Sequence, residues 1–340
     1  AVTGKTLVSV VSMVLDEGVR WAEASLEPLI KLARAADIHP KVRSLALKAL
    51  ALVTKEGDTV CRILSHMGVV KAVSVLLASR RDAKVTADDV NGVRLVSQIC
   101  EADGSRYEDV VVIGAVPRII QILKKHLVEQ SILLPHEQEL QRRCGRFLEK
   151  VSVRPTLRPL VFQAGAADLF LSVLGMEHAS SNTKESYSIA LLNLCQDPAV
   201  SGQWLKDSPG SAGRIKGLLH SQDEEVCLNT LSLAALLAGS PANAWELMST
   251  KDFTAQVVDM MVEAGKMSDK HIKLRFIVSS VSYLFSLVQI REGLKHVRTW
   301  NIVPRIDPFM RGIRSSLNSD SKAQHIWGRY DELVVRVEAP

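Results

Sequence analysis

Few residues of this sequence have the types and spacing that catalysis would need. The segment GKT at residues 4–6 matches the last three residues of a phosphate-binding loop, in which backbone N–H groups and the lysine hold the phosphates of a nucleotide. The loop also needs a glycine about five residues before Gly4, a position that falls before Ala1. The segment LVSVV that follows already has the apolar pattern of a helix. We therefore predict that these residues do not bind a nucleotide.

The other reactive side chains are scattered rather than grouped. The 9 histidines form no HExxH motif and no His–Cys pair at metal-ligand spacing, so we predict no metal site. No GxSxG segment presents a serine nucleophile, and we predict neither a catalytic residue nor a cofactor.

The cysteines point to a reducing compartment. Their number is odd and they include no CxxC pair, which argues against a zinc site or a disulfide framework. They are Cys61, Cys100, Cys144, Cys195 and Cys227. We predict buried, reduced thiols in an intracellular protein, cytoplasmic or alternatively nuclear.

Length and composition favour a helical protein larger than one compact core. Of the 340 residues, 47% are hydrophobic and only 5% aromatic, a composition that favours a protein made of packed helices. The length favours several domains or one elongated repeat array. The formal charge of +5 is small for this length and does not require nucleic acid or a membrane surface. No apolar run reaches the roughly 20 residues of a membrane span, so we predict none. The start AVTGKTLVSVV lacks an initiator Met and a signal-peptide pattern, and we expect a fragment of a longer protein.

A short phrase recurs along the chain: a glycine, a few small or variable residues, and an apolar helix that ends in two large residues. It reads MGVVKAVSVLL at 67–77, IGAVPRIIQIL at 113–123, AGAADLFLSVL at 164–174 and PGSAGRIKGLL at 209–219, with weaker copies at 251–261 and 300–310. The marker residues of the six copies, 42 to 51 residues apart, are Gly68, Gly114, Gly165, Gly210, Asp252 and Asn301. This period indicates a solenoid of stacked repeats.

Between these copies lies a second, longer helix with apolar residues at a period of about 3.6. Examples are KVRSLALKALALVT at 41–54, LQRRCGRFLEKV at 140–151 and YSIALLNLC at 187–195. Turn residues such as KEGD, EADG and QDP follow, and their Asp residues are suitable N-caps for a further short helix. No strand-like alternation competes. We therefore predict an all-α fold with three helices in each repeat.

These two phrases resemble the armadillo-repeat family, whose units combine a G-A-I-P-x-L-V-x-L-L helix with an A-L-W-A-L-S-N-L-A helix. IGAVPRIIQIL is similar to the first and YSIALLNLCQD to the second. The resemblance covers nearly the whole chain and implies a single domain, a right-handed α-solenoid of about seven armadillo-like three-helix repeats; HEAT repeats are the close alternative. The predicted repeats are a partial one at 4–36, full ones at approximately 56–102, 103–151, 152–196, 197–238 and 239–289, and a last one at 290–337 with a capping helix at 320–337.

In armadillo proteins the longer helix of each repeat lines a concave groove. The resemblance implies that a Trp position and, one turn later on the same helical face, an Asn position point into this groove and bind an extended peptide. In this sequence the Trp positions hold Lys48, Arg94, Arg146, Ile189, Leu231 and Ser282, and the Asn positions hold Leu52, Gln98, Lys150, Asn193, Ala235 and Ser286. Because only Asn193 keeps the family residue, we reject the activity of the armadillo receptors that bind nuclear-localisation peptides.

The register instead predicts a basic row followed by apolar residues. Guanidinium groups in such a row favour carboxylates or phosphates through bidentate hydrogen bonds, although the same residues could be ordinary solvated charges of long helices. The predicted partner-binding residues are Lys48, Arg94, Gln98, Arg142, Arg146, Lys150, Ile189, Asn193 and Leu231. Arg143 adjoins them on the same helix.

We therefore expect a non-enzymatic protein–protein interaction scaffold or adaptor that binds an acidic and hydrophobic peptide or helix along its concave groove. Two alternatives are an armadillo-type co-chaperone or assembly factor for a large client such as myosin, and a regulatory armadillo region of a larger enzyme. Nucleic acid is not the expected partner, because the basic residues of the last repeat are dispersed and the acidic segment QDEE at 222–225 interrupts any phosphate track.

Overall fold

The computed structural model describes residues 23–35, 38–79, 85–125, 135–202, 204–317 and 321–339. The GKT segment and most of the predicted partial repeat at 4–36 lie outside the described residues. The chain divides into two compact units, unit 1 at Ala1–Ala190 and unit 2 at Leu191–Pro340. Within the described ranges the regular elements are all helical and no strand occurs.

The described part of unit 1 starts with two helices and continues with sets of three. The first two are α1 (Glu23–Arg34) and α2 (Pro40–Val53). The sets that follow are α3 (Asp58–His66), α4 (Val69–Ser79) and α5 (Ala87–Ala102), then α6 (Tyr107–Val112), α7 (Val116–Leu123) and α8 (Pro135–Ser152), then α9 (Arg158–Gln163), α10 (Ala166–Leu174) and α11 (Ser181–Cys195). The third helix of each set is the longest, as the sequence pattern predicted.

Unit 2 continues the same order of short, middle and long helices. Its helices are α12 (Pro198–Ser201), α13 (Trp204–Asp207), α14 (Ser211–Leu218), α15 (Glu224–Leu237), α16 (Pro241–Ser249), α17 (Phe253–Ala264), α18 (Lys270–Val288), α19 (Arg291–Thr299), α20 (Ile302–Leu317) and α21 (Ser321–Glu338). The exact repeat boundaries and the number of repeats stay predictions.

The six marker residues of the repeat all adopt the left-handed backbone conformation. The φ angles of the four glycines are +74°, +85°, +82° and +86°, and those of Asp252 and Asn301 are +58° and +50°. Glycine adopts this region without steric cost, and Asp and Asn tolerate it better than other residues with a side chain. The recurring phrase of the sequence is therefore six copies of one tight turn ahead of the middle helix.

In unit 1 the long helices pack side by side, α2 on α5 and α5 on α8, while α3 and α4 cover one side of α5. The core between them is apolar, with Leu47, Leu95 and Leu148 fully buried. Where α8 lacks a side chain, at Gly145, the Tyr187 ring fills the space: a Cβ at Gly145 would lie 2.7 Å from Tyr187 Cε2. We call the solvent-exposed side of α2, α5 and α8 the open face of unit 1.

The long helices of unit 2 pack in the same manner, α15 on α18 and α18 on α21. Large side chains such as Phe253 and Tyr283 are fully buried beneath them. The solvent-exposed side of α15, α18 and α21 is called the open face of unit 2.

One helix in the described part of the chain, α18, is long and apolar enough to cross a membrane by length and composition alone. Its mean hydropathy is 1.2, and 56% of the segment is buried inside the protein. Two bent helix pairs, Asp58–His66 with Val69–Ser79 and Pro155–Gln163 with Ala166–Leu174, also qualify if each pair is counted as one span. The absence of a membrane span therefore stays a prediction.

Candidate partner-binding face

The open face of unit 1 carries the basic residues that the sequence register placed there. Lys48 on α2 and both Arg146 and Lys150 on α8 are exposed, and Arg94 on α5 is half-buried. Gln98, one turn after Arg94, is only 5% exposed, and its Oε1 accepts a hydrogen bond from Thr54 Oγ1 at 2.7 Å. The open face thus presents cationic side chains from three neighbouring helices.

The basic cluster of α8 is largely neutralised by two glutamates. Arg142 donates to both carboxylate oxygens of Glu139, at 2.7 and 2.8 Å. Arg143 pairs with Glu101 at 2.8 Å and with Glu139 at 2.7 Å, and Arg146 pairs with Glu101 at 2.9 Å. The hydrogen bond from Arg142 is the main reason why the pKa of Glu139 is lowered. These arginines are therefore not free charges.

The sequence analysis did not assign these two glutamates a role. Glu139 stands one helical turn before Arg142 and Arg143, a spacing at which opposite charges meet on a helix. Its ion pairs with these two arginines could therefore have been predicted from the sequence. Glu101 comes from the neighbouring helix α5, and only the packing of α5 on α8 brings it to Arg143 and Arg146. Lys150, further along α8, lies 3.4 Å from Glu149.

Three other cations of the open face have neither an ion pair nor a side-chain hydrogen bond within the described part of the chain. They are Lys48, Lys55 and Arg94. All three line a cleft of about 460 Å³, together with Gln98, Asp58 and the pair Glu139–Arg143. We call it the charged cleft.

An adjoining cleft of about 570 Å³ shares Lys48 and Arg94 with the charged cleft. Its other side chains include Leu45, which is 44% exposed, the half-buried Val90 and one carboxylate, Glu137. The fully apolar Leu140 contributes to both clefts. We call this second space the apolar cleft. Two cations therefore lie at the boundary between an apolar and a charged space.

The predicted apolar part of the groove is only partly accessible. Leu231 on α15 is 0% exposed and Ala235 is buried, so Leu231 packs in the core of unit 2 instead of facing a partner. The residues one position later, Ser232 and Leu236, lie towards solvent, and Leu236 is 43% exposed. The register extrapolated from the first repeats is thus displaced by one residue in this helix.

The helix α11 carries the remaining two predicted residues. Ile189, at the end of unit 1, and Asn193, at the start of unit 2, are both half-buried. Asn193 Oδ1 accepts a hydrogen bond from Gln196 Nε2 at 3.4 Å. Its amide is accordingly tied to its own helix, and the neighbouring long helices supply no second asparagine at this register.

Two arginines at the open face of unit 2 are engaged with other side chains. Arg275 on α18 donates to both oxygens of Glu225 on α15, at 2.5 and 2.8 Å. Arg329 on α21 donates to Ser282 Oγ at 3.0 Å and lies over the Phe285 ring at 5.8 Å. The predicted groove position Ser282 is therefore covered by a side chain of the protein itself.

The described residues contain no group of three His, Cys, Asp or Glu side chains that could hold a metal ion. All five cysteines are buried and free of disulfides, as the sequence predicted. Burial raises the pKa of Cys61 to about 11 and that of Cys144 to about 12. These thiols therefore stay protonated at neutral pH and are poor nucleophiles.

The fold is shared with an engineered protein and with designed armadillo repeat proteins of known structure. An engineered protein from a structural genomics consortium is 16% identical, with a TM-score of 0.62, over 98% of this chain and 74% of its own. A computationally designed armadillo repeat protein for modular peptide recognition is 14% identical, with a TM-score of 0.55, over 76% of this chain and 99% of its own. A designed armadillo repeat protein in complex with the peptide (KR)4 is 14% identical, with a TM-score of 0.52, over 76% of this chain and 99% of its own.

No protein-family profile and no curated protein matches the sequence. The structural similarity nevertheless confirms the predicted fold class, because designed armadillo proteins align over three quarters of the chain. The chain is an all-α, armadillo-like solenoid.

Proposed function

We propose that this protein is a non-enzymatic binding scaffold whose open face of unit 1 binds a protein segment carrying acidic and apolar side chains. The availability of Lys48 and Arg94 is the observation that carries the proposal. Both side chains reach solvent, neither has an ion pair among the described residues, and both border two adjoining clefts.

An acidic side chain is the group that these two cations would recognise. A charge-assisted hydrogen bond to a carboxylate contributes about 1.5 to 3 kcal/mol, and the planar guanidinium of Arg94 offers two parallel donors to one carboxylate. The paired arginines of α8 add little, since Glu101 and Glu139 already hold them. The charge that a partner meets is therefore concentrated at the boundary of the two clefts.

The apolar cleft supplies a place for a neighbouring hydrophobic side chain. Leu45 and Val90 reach its surface without being buried by another part of the described chain. Burying apolar area there would contribute about 25 cal/mol per Å² removed from water. A segment with an acidic residue next to a large apolar one would satisfy both clefts at once.

Peptide recognition by structural relatives supports this choice over catalysis. One designed armadillo protein was made for modular peptide recognition and another binds the basic peptide (KR)4. Of the charges that line the charged cleft and have no ion pair among the described residues, three are positive and one, Asp58, is negative, so we propose the opposite charge preference for this chain. The buried thiols fit a reducing environment, and we propose an intracellular, cytoplasmic location, with the nucleus as the alternative.

Fluorescence anisotropy with labelled repeat peptides tests the proposal. A Glu-Leu repeat should bind, whereas a Lys-Leu repeat should not, and a Glu-Ser repeat should bind more weakly because it leaves the apolar cleft empty. Replacing Lys48→Glu and Arg94→Glu together should reduce Glu-Leu binding by about a hundredfold or more, since two attractive charges become repulsive.

The matched control is Arg62→Glu with Lys71→Glu, the same change of charge at exposed residues of the shorter helices α3 and α4. Neither residue lines the charged cleft or the apolar cleft, so this variant should keep the wild-type affinity within about twofold. Equal losses in the two double variants would show a non-specific charge effect and refute the proposal. Suppression of client aggregation without any peptide binding would instead favour the co-chaperone alternative.

A further inference from the structure

The charged cleft has more unpaired positive charge than a single carboxylate would neutralise. Lys48 on α2 and Lys55 in the 3-10 turn Thr54–Glu56 that follows it both line the cleft, with Leu52 between them in the sequence and also at the cleft wall. Arg94 approaches from α5. None of the three has an ion pair in the described part of the chain.

The number of acceptor oxygens separates the two anions that such a cluster could hold. A carboxylate has two oxygens and one negative charge, which a bidentate arginine satisfies alone. A phosphate monoester has three terminal oxygens and a charge of about −1.5 to −2 at neutral pH. One oxygen can then face each of Lys48, Lys55 and Arg94, and the charges balance more closely.

A neutral donor lines the same cleft. The side chain of Gln98 is nine-tenths buried, and Thr54 holds its Oε1 at 2.7 Å. The Nε2 group has no hydrogen bond to another described residue and is the amide atom left for the cleft. The cleft also borders the start of α3, where Gly57 offers no side chain to cap the first N–H groups. Unsatisfied N–H groups at a helix start favour an anion.

Three carboxylates also line the charged cleft and must be accounted for. Glu101 and Glu139 are held by the arginines of α8 at 2.7 to 2.9 Å. Asp58 has no ion pair among the described residues and opposes an anion, although it also lies in the first turn of α3, where its charge favours the helix. Removing the charge of Asp58 should therefore strengthen anion binding, whereas removing the charge of one of the three cations should weaken it.

We propose that the charged cleft binds a phosphorylated side chain, a phosphoserine or phosphothreonine, of the same segment whose apolar residue enters the neighbouring cleft. The inference rests on the proposed peptide-binding function and adds phosphorylation of the partner as its switch. The unphosphorylated segment then binds weakly, and a kinase acting on the partner controls assembly.

Three matched peptides test the inference by fluorescence anisotropy. They are Glu-Leu repeats with phosphoserine, glutamate or serine at one central position. The phosphoserine peptide should bind about tenfold tighter than the glutamate peptide. Equal affinities for these two peptides would overturn the phosphate inference and leave the proposed function intact. Failure of all three to bind would refute both.

Substitutions assign the effect to the cleft. Lys55→Ala should remove most of the phosphoserine advantage while changing the affinity for the glutamate peptide by no more than about twofold, because Lys55 lies away from the Lys48–Arg94 boundary. Lys71→Ala on α4 is the matched control and should change neither affinity. Asp58→Asn should strengthen phosphoserine binding severalfold. Circular dichroism confirms that each variant is folded, and an unchanged phosphoserine advantage in Lys55→Ala would overturn the inference.

The pH dependence gives a readout that a general charge effect does not share. The second pKa of a phosphate monoester is about 6, whereas a glutamate side chain titrates near 4.3. Lowering the pH from about 7.5 to about 5.5 should therefore weaken phosphoserine binding severalfold and leave glutamate binding nearly constant.

Inorganic phosphate, added as a competitor, distinguishes a site for a free anion from a site that needs the peptide. Competition at micromolar phosphate would contradict the assignment of the cleft to a phosphorylated peptide.

Discussion

The open faces of the two units differ in how their arginines and lysines are used. In unit 1, Lys48, Lys55 and Arg94 have no ion pair among the described residues. In unit 2, Arg275 is held by both oxygens of Glu225, and Arg329 is held by Ser282 and Phe285. For these residues the difference is one of availability, since both faces carry arginines on their long helices.

The position of the acidic residues at the start of each long helix explains this difference. On α5, Asp88 and Asp89 point into the core and are only 5% and 1% exposed. Asp88 pairs with Arg43 and Asp89 with Arg118, so neither carboxylate is near the solvent side of the helix. On α15 the corresponding acid, Glu225, lies at the open face and meets Arg275. The helical register of an acid therefore decides which cations remain for a partner.

The largest expected effect comes from breaking the buried ion pair behind α5. Arg118 and Asp89 lie 2.8 Å apart with side chains only 3% and 0% exposed. Arg118→Met should destabilise the protein by about 3 to 5 kcal/mol, because a carboxylate is left buried without its partner. Urea unfolding followed by circular dichroism measures the change.

Asp269 of unit 2 provides the comparison for this experiment. It caps α18 from an exposed position, where its Oδ1 accepts from the N–H groups of His271 and Ile272. Asp269→Ala should therefore cause a clearly smaller loss than Arg118→Met. Similar losses in both variants would contradict the view that the acids of α5 are part of the core.

Glycines in long and middle helices should respond in opposite ways in the two units. Gly145→Ala should destabilise unit 1 by about 1 to 3 kcal/mol, since the new Cβ would lie 2.7 Å from the Tyr187 ring. Gly217 on α14 has no atom near an added Cβ, and Gly217→Ala should stabilise by up to about 1 kcal/mol through helix propensity. Thermal unfolding of both variants tests the pair. A stabilising Gly145→Ala would show that Tyr187 moves easily.

The repeat pattern could be predicted from the sequence because one turn recurs, and each copy of it requires a residue that tolerates a positive φ angle. Six marker residues require φ above zero, and only Gly, Asp and Asn occur there. The basic residues of α2, α5 and α8 were also placed on the correct helices from their period. The ion pairs between helices could not be predicted from the sequence, because Glu101 and Arg143 come together only through the packing of two helices that are distant in sequence. The one-residue displacement on α15, which buries Leu231, depends on helix rotation within the core and leaves no trace in spacing alone.

A smaller effect concerns Asp103, the acid that follows α5. Hydrogen bonds from Ser105 and Ser65 lower its pKa from 3.8 to about 2. Because the folded pKa is below the unfolded one, Asp103 contributes stability above about pH 4 that is lost as the pH falls towards 2. Asp103→Asn should cost about 1 to 2 kcal/mol at neutral pH, and the difference from wild type should shrink near pH 2. Urea unfolding at both pH values tests this, and an equal difference at the two would contradict the assigned cause.

The smallest expected effect tests whether unpaired cations are what distinguishes the two open faces. If availability of cations is what distinguishes the faces, freeing Arg275 should give unit 2 a weak affinity for acidic peptides. In the Lys48→Glu, Arg94→Glu variant, the added change Glu225→Gln should raise the affinity for the Glu-Leu repeat a few-fold. Fluorescence anisotropy at low salt, where screening is weak, measures this affinity. Glu263→Gln on the middle helix α17 frees Lys266, which follows that helix; it is the matched control and should restore none. Restoration by both variants would mean that net charge alone governs binding, whereas restoration by Glu225→Gln alone would show that a partner binds wherever a long helix presents an arginine without its acid.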